Sequence, residues 1–414
     1  MTQETFLIVG AGQAGGQAAQ ALRENGFGGR IVLVGDEAWR PYERPPLSKD
    51  VLLAPSDDDC FKGWMHEAQF YETSAVELRR GAVARLDTDR RVAVLADGQA
   101  LPYDKCLLAT GGRARQIDQV PCGPRVVSLR TLDDAMRLRG LIAQSRSVAV
   151  IGGGFLGLEF SASASRRGLR TTVFEQGTRL LPRALPAGIA EKLRVKHEAQ
   201  GVRIVLDSGV LRIEAREMHV VVAGKDAGAA SFDFCVIAVG QAPNEAVARA
   251  SGIETHNGIV VDRYCRTSAP HVYAAGDCAR FPFGETGGTL RLESWQNAQQ
   301  QAIAAAKNML GESCAYQLTP WFWTDQYDWN IQMLGLLDAS IDRWIERPGE
   351  GEKSVLIGLR GNVMAYALAI NQGGDLRAIR RLVEQAVPVD PMQLADTSVK
   401  LRQIERQAPV NRLY

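Results

Sequence analysis

Gly10-Ala11-Gly12-Gln13-Ala14-Gly15 follows the apolar run Phe6-Leu7-Ile8-Val9, and Gly152-Gly153-Gly154-Phe155-Leu156-Gly157 follows Val148-Ala149-Val150-Ile151. Each stretch reads as a strand, a glycine turn and the opening of a helix. Each is followed by a second apolar run that ends in acid: Arg30 to Val34 before Asp36-Glu37, and Thr171 to Phe174 before Glu175. This is the dinucleotide-binding unit written twice. The first glycine makes the tight turn, the second lets the backbone approach a pyrophosphate, and the third lets helix and strand pack closely. The phosphates then meet the helix N-terminus, where free N–H groups and the dipole favour an anion. Two dinucleotides on one chain suggest a flavin and a nicotinamide exchanging a hydride.

The repeat extends beyond the glycines. Tyr103 to Leu108 runs into Ala109-Thr110-Gly111-Gly112, and Phe232 to Val239 closes on Gly240. The order of fingerprint, acid and apolar strand ending on glycine therefore occurs twice, as expected of two related nucleotide domains. Between them Arg130-Thr131-Leu132-Asp133-Asp134 reads as a capped helix start, with Thr131 or Asp133 as cap. His271 to Ala279 reads as a short strand closing on Gly276-Asp277, with Asp277 buried and available to a ribityl hydroxyl. Leu292-Glu293-Ser294-Trp295 opens a helix to Leu310 whose N-terminal dipole would face a flavin pyrimidine edge.

The segment Arg40-Pro41-Tyr42-Glu43-Arg44-Pro45-Pro46-Leu47-Ser48-Lys49 is neither helix nor strand. Its prolines stiffen the backbone while it presents Arg40, Arg44 and Lys49, as a rigid arm for a pyrophosphate would. From about Tyr316 the character changes. Pro320-Trp321-Phe322-Trp323-Thr324-Asp325-Gln326 leads into alternating segments at 330–335, 343–346, 355–359 and 363–369, a small antiparallel sheet. A helix is expected from Leu376 to Val387, with Arg377, Arg380 and Arg381 on its polar face. The tail from Arg406 to Tyr414 carries no reading. The fold class is therefore α/β: two Rossmann-like domains in a glutathione-reductase-like arrangement, plus a C-terminal α+β domain. The expected boundaries are 1–112 with 243–316 for FAD, 113–242 for NAD and 317–414 for the C-terminal domain.

With 414 residues and a formal net charge of +1, nothing global points to nucleic acid or an acidic surface. The start of the chain lacks a secretory pattern and no apolar run would span a bilayer, so a cytoplasmic location with no membrane partner is expected. The seven cysteines make no CxxC or CxxxxC, which leaves no dithiol for thiol chemistry beside a flavin. Cys60, after Asp57-Asp58-Asp59, is the one candidate for a reactive thiol, in acidic surroundings that disfavour a thiolate. The five histidines are dispersed and read as surface or structural, without metal spacing.

These motifs resemble those of the FAD-dependent NADH:ferredoxin reductases of bacterial oxygenase systems, over nearly the whole chain. The most specific pieces are Arg44-Pro45-Pro46-Leu47-Ser48-Lys49, Ala109 to Gly112, Gly152 to Glu159, Gly276-Asp277-Cys278-Ala279 and Pro320 to Gln326. Glu293 to Ala298 leans toward the dioxygenase branch. The resemblance implies FAD contacts from Gly10, Gly12, Ala14, Gly15, Glu37, Arg44, Lys49, Val83, Arg130, Asp277 and Trp295. It implies an NADH site lined by Gly152, Gly154, Gly157, Glu159, Glu175, Arg183 and Gly240. Lys49 would lie near the reactive flavin edge and favour the anionic reduced ring, Glu159 would position the nicotinamide, and Trp321 and Trp323 would lie on the ferredoxin side. Glu175 suits a ribose 2′-hydroxyl and repels a 2′-phosphate, which favours NADH, although Arg179 and Arg183 are near in sequence. The expected partner is an acidic [2Fe–2S] ferredoxin, bound transiently, with Arg291, Lys307, Arg377, Arg380 and Arg381 as candidate contacts. The competing readings are a rubredoxin reductase, an NADH oxidase and a redox-sensing flavoprotein resembling apoptosis-inducing factor.

Overall fold

The computed structural model describes residues 3–56, 60–118, 120, 122–224, 228–284 and 288–408. The acidic run Asp57-Asp58-Asp59 and residues 409–414 of the tail lie outside them. The chain divides into two compact units. One comprises Met1–Pro46, Asp58–Ala114 and Gln241–Leu318, and the other Leu47–Asp57, Arg115–Gly240 and Thr319–Tyr414.

The first unit is built on a five-stranded parallel sheet in the order Val272–Ala274, Lys105–Leu108, Thr5–Val9, Arg30–Gly35, Val76–Arg80. Residues 6–9, 31–34, 106–108 and 272–274 are all buried, the usual condition of strands in a parallel sheet covered on both faces, whereas the edge strand Val76–Arg80 exposes Glu77, Leu78 and Arg80. The fingerprint helix Gln13–Glu24 and the helix Trp295–Met309 turn their alanines inward, and the small side chains let backbones approach. Ser294 caps the second helix by accepting from Asn297 N at 3.2 Å.

The second unit repeats the design. Its parallel sheet runs Arg203–Val205, Arg170–Phe174, Ser147–Ile151, Phe234–Ile237, Val126–Ser128. In both units the fingerprint strand is flanked by the strand that ends in acid and by the strand that closes on glycine. Register agrees as well: Gly10 N donates to Val34 O and Gly152 N to Phe174 O, each at 2.8 Å. The internal repeat legible in the sequence is thus a repeat of backbone geometry. Thr131, rather than Asp133, caps the helix Leu132–Gln144, in a capping box with Asp134.

The C-terminal part of this unit carries a five-stranded antiparallel sheet ordered Trp321–Gln326, Trp329–Gly335, Val363–Ile370, Ser354–Arg360, Arg343–Pro348. The aromatic marker is itself the edge strand, which was not evident from its composition. The helix spans Gly373–Glu384, three residues earlier at each end than expected, and packs Leu376, Ile379 and Leu382 on the sheet. Arg406 belongs to a final helix, Leu401–Gln407.

Candidate functional site

In the first unit the glycine turn is closed to side chains. Gly10 has φ +112°, and a Cβ there would lie 2.2 Å from Ala109 O; one on Gly15 would lie 1.9 Å from Gly10 O. Gly12, by contrast, opens outward, and the atom nearest to a Cβ built on it is Nη2 of Arg44, at 3.8 Å. A guanidinium thus stands at the mouth of a helix N-terminus that no side chain caps. Gln13 buries both of its amide atoms there without a partner in the protein. A cradle without room for a Cβ, an uncapped helix start, a cation and an orphaned amide together fit a dinucleotide pyrophosphate.

Arg44 is bound to Glu37 at 2.7 Å and to the hydroxyl of Tyr42 at 3.0 Å, and Tyr42 also donates to Glu37. Burial works to lower the Arg44 pKa, but Tyr42, Glu37 and Asp277 outweigh it and hold the pKa above its ordinary value. The proline arm is pinned by Pro41, whose Cβ leaves no room for a side chain on Gly16 of the fingerprint helix. That fourth glycine went unread in the sequence. Arg40 does not join the phosphate site: its guanidinium stacks 4.1 Å above the Trp64 ring. Val83 is buried at the start of Val83–Asp87. Ala14, Gly276 and Ala298 approach one another, which brings Asp277 and Trp295 toward the same cradle. Asp277 is half-buried rather than buried and accepts from Gln241 Nε2 at 2.9 Å. Trp295 donates its indole N–H to Glu43 at 3.2 Å.

The second cradle matches the first. Gly152 has φ +109° with Ala238 O at 2.4 Å from a built Cβ, Gly157 would meet Gly152 O at 2.1 Å, and Gly154 faces open space. Glu175 accepts from Gly153 N at 2.6 Å and Gly177 N at 2.7 Å, so the acid also shapes the turn. Each oxygen keeps lone-pair capacity for a ribose hydroxyl. Arg179 donates to the carbonyls of Leu185 (2.6 Å) and Pro182 (2.8 Å), whereas Arg183 is exposed on the adjoining turn. Gly240, at φ +96°, accepts from Arg115 N. Lys49 and Arg130 fall in this second unit and not with the other FAD candidates. The Arg130 backbone is tied to Asp134 at 3.0 Å.

Within the second unit, Glu159 gathers residues that the sequence scatters. It lies on the helix Phe155–Arg166, 7% exposed. It accepts from Lys49 Nζ at 2.9 Å, Ser48 Oγ at 2.5 Å and Thr324 Oγ1 at 2.7 Å. Lys49 also lies 3.9 Å from Asp325. Phe155, Glu159 and Ser163, spaced by four, form one helix face. Phe155 packs on Phe322 with ring centroids 4.5 Å apart, and Ser163 donates to Ser48 O at 2.7 Å. Strand alternation puts Trp321, Trp323 and Asp325 on the opposite face from Phe322, Thr324 and Gln326. The two indoles stack with centroids 5.0 Å apart and planes 23° apart, both half-buried. Ser48, Thr324, Gln326 and the fully buried His197 were missed as members of this cluster. For Thr324 and Gln326 the signal was their i, i+2 spacing in an aromatic strand, and nothing local marked Ser48 or His197.

Burial pushes the thiols of Cys106, Cys235, Cys265 and Cys278 up, and none of the seven cysteines forms a disulfide. Cys60 is buried. Among the described residues no group of His, Cys, Asp and Glu could hold a metal ion, and no helix is long and apolar enough to cross a membrane. Arg291 is a poor docking contact, since its side chain is 9% exposed and bound to Glu293 and to Asp277 O.

Two glycine cradles with carboxylates at their second strands define a flavin- and nicotinamide-binding oxidoreductase, and the chain belongs to the pyridine nucleotide-disulphide oxidoreductase family, matched over residues 4–302. Residues 321–405 match the reductase C-terminal family. The chain is 38% identical over 406 residues to the anthranilate 1,2-dioxygenase system ferredoxin–NAD(+) reductase component of Burkholderia cepacia, covering 97% of this chain and 99% of the relative. The ferredoxin reductase of the CYP199A2 system from Rhodopseudomonas palustris superposes with TM-score 0.91 at 36% identity, covering 97% and 99%. Putidaredoxin reductase, in its covalent complex with putidaredoxin, superposes with TM-score 0.92 at 32% identity, covering 99% of each chain.

Proposed function

We propose that this chain takes a hydride from NADH and delivers the two electrons, one at a time, to a ferredoxin that serves an oxygenase. The balance is NADH plus two oxidised ferredoxins giving NAD⁺, a proton and two reduced ferredoxins. FAD supplies the conversion, accepting electrons as a pair and releasing them singly. The observation that carries this reading is the doubled cradle, in a chain with no dithiol to receive electrons. Full-length likeness to reductase components of oxygenase systems supports it.

The chain's own residues bind and orient. Gly10, Gly12, Ala14, Gly15, Glu37, Arg44, Val83, Asp277 and Trp295 are the proposed FAD contacts, joined by Lys49 and Arg130. Gly152, Gly154, Gly157, Glu159, Glu175, Arg183 and Gly240 are proposed for NADH. Lys49 would favour negative charge on the reduced ring and Glu159 would orient the nicotinamide. The division into 1–112 with 243–316, 113–242 and 317–414 is proposed as the functional one. The partner is proposed to be a [2Fe–2S] ferredoxin held transiently beside Trp321 and Trp323. Exposed Arg377 suits an acidic partner better than Arg380 or Arg381, which pair with Glu384 and Glu405.

The test is anaerobic reduction of the purified flavoprotein by NADH, followed by stopped-flow mixing with oxidised [2Fe–2S] ferredoxins and, separately, rubredoxin. Reoxidation by a ferredoxin at turnover rates is expected. Reoxidation only by rubredoxin or only by oxygen would overturn the reading.

A further inference from the structure

The Glu159 cluster continues into a chain of buried polar groups. Thr324, Gln326 and His197 are each at most 1% exposed. Thr324 donates to Glu159, Gln326 Nε2 donates to Thr324 Oγ1 at 3.0 Å, and His197 Nε2 lies 2.7 Å from Gln326 Oε1. On the far side of the ring, Tyr327 OH lies 3.1 Å from His197 Nδ1. One proton arrangement satisfies every link. The Thr324 hydroxyl points its hydrogen at the carboxylate, so its oxygen must accept from the Gln326 amide nitrogen. Gln326 then presents its oxygen to His197, which must carry its proton on Nε2, and Nδ1 accepts from Tyr327. Every donor points toward Glu159.

We propose that His197, Gln326 and Thr324 form a one-way hydrogen-bond chain that holds the Glu159 carboxylate in place beside Lys49, making His197 a positioning residue for NADH. This rests on the reading of Glu159 as a nicotinamide-orienting group. The chain bridges the helix Ala187–Ala199 and the edge strand Trp321–Gln326, and so couples Glu159 to the aromatic marker strand. It orients rather than conducts, because a side-chain amide keeps its protons and interrupts any relay between His197 and Thr324. Burial pushes the His197 pKa down to about 4, so the neutral ring that the pattern requires persists at ordinary working pH. The charges on either side of it in sequence are matched: Lys196 with Asp328 and Glu352, and Glu198 with Arg194.

The experiment is a double-mutant cycle read by NADH KM and kcat and by the dissociation constant of NAD⁺ from the FAD-loaded protein. Glu159→Gln is expected to weaken NAD⁺ binding. His197→Leu and Thr324→Val are each expected to weaken it by about fivefold, one hydrogen bond's worth, with FAD content unchanged. His197→Gln restores an N–H near the Nε2 position and is expected to recover most of the loss. In a Glu159→Ala background, where no side-chain oxygen is left to accept from Thr324, the His197→Leu and Thr324→Val effects should vanish, which a merely structural role would not produce. If Glu159→Gln leaves NAD⁺ binding unchanged, the reading of Glu159 falls and the chain's role falls with it. If Glu159→Gln weakens binding but the other effects are absent, or persist in full in the Glu159→Ala background, the chain alone is refuted. Thr324→Val, with its near-isosteric side chain, decides the matter if His197→Leu does not fold.

Discussion

Replacing Glu175 by alanine should do two separable things. The carboxylate accepts from Gly153 N and Gly177 N, so its loss releases one backbone donor of the second glycine turn and one of the loop that follows the acid. That penalty acts at the pyrophosphate and falls equally on NADH and NADPH. The ribose effect falls on one cofactor. A hydroxyl bonded to a carboxylate contributes about 1.5–3 kcal/mol, which NADH alone loses. A 2′-phosphate near 4 Å from the carboxylate is repelled by about 1–4 kcal/mol between aqueous and near-surface dielectric limits, a penalty lifted for NADPH alone. At the low ends these sum to about 2.5 kcal/mol, so the NADH-to-NADPH ratio of kcat/KM should narrow by roughly 70-fold or more. Arg179 is bound to two loop carbonyls and adds little new affinity for the phosphate. Glu175→Gln removes the charge and keeps one acceptor, so it should narrow the ratio less. The assay is steady-state ferredoxin reduction with each nucleotide at fixed ionic strength. A ratio unchanged within twofold in both variants would refute the assignment of Glu175 to the ribose, whatever happens to the absolute rates.

Gly10→Ala and Gly152→Ala should separate the two cofactors. Each forces a Cβ to within 2.4 Å of a carbonyl oxygen at positive φ, with backbone strain alone costing about 1–3 kcal/mol. The first should yield protein depleted of flavin colour. The second should keep its colour while its reduction by NADH becomes much slower, and loss of flavin from both would contradict the assignment. His197 makes stability acid-sensitive in a defined window. Its folded pKa of about 4 lies below the ordinary value near 6.5, so the unfolded chain binds the proton first as pH falls. The contribution is intact above pH 6.5 and is lost between 6.5 and 4, by about 3 kcal/mol, and His197→Gln should flatten that part of a denaturant-versus-pH curve. Cys122 is the exposed cysteine, so alkylation of the native protein should mark it first and leave NADH-driven ferredoxin reduction intact. Loss of turnover on modifying Cys122 would reopen thiol chemistry. Arg44→Ala should weaken FAD retention without changing the rate at which retained flavin is reduced, as measured by equilibrium reconstitution.

Local chemistry made much of this protein legible without coordinates. A glycine that must turn at positive φ, or sit where no Cβ fits, is a constraint written into a single residue. The fingerprints Gly10 to Gly15 and Gly152 to Gly157 and the acids that follow them could therefore be read directly. The alternating segments after Asn330 were equally readable as strands, because period-two patterning reports which face is buried. Helix ends were less so: Gly373–Glu384 begins and ends where packing of Leu376, Ile379 and Leu382 dictates, not where propensity alone suggests.

What only tertiary structure decided is who meets whom. Glu159 and Lys49 stand 110 residues apart, and Thr324 and His197 arrive from different elements again. A lone buried histidine or a threonine beside a tryptophan carries no local mark of its role. Its meaning comes from hydrogen-bond direction, which exists only once the partners are assembled and every buried donor must find an acceptor. The same holds for Arg40, Arg44 and Lys49, alike in sequence but settled against a ring, a carboxylate at the glycine turn and Glu159.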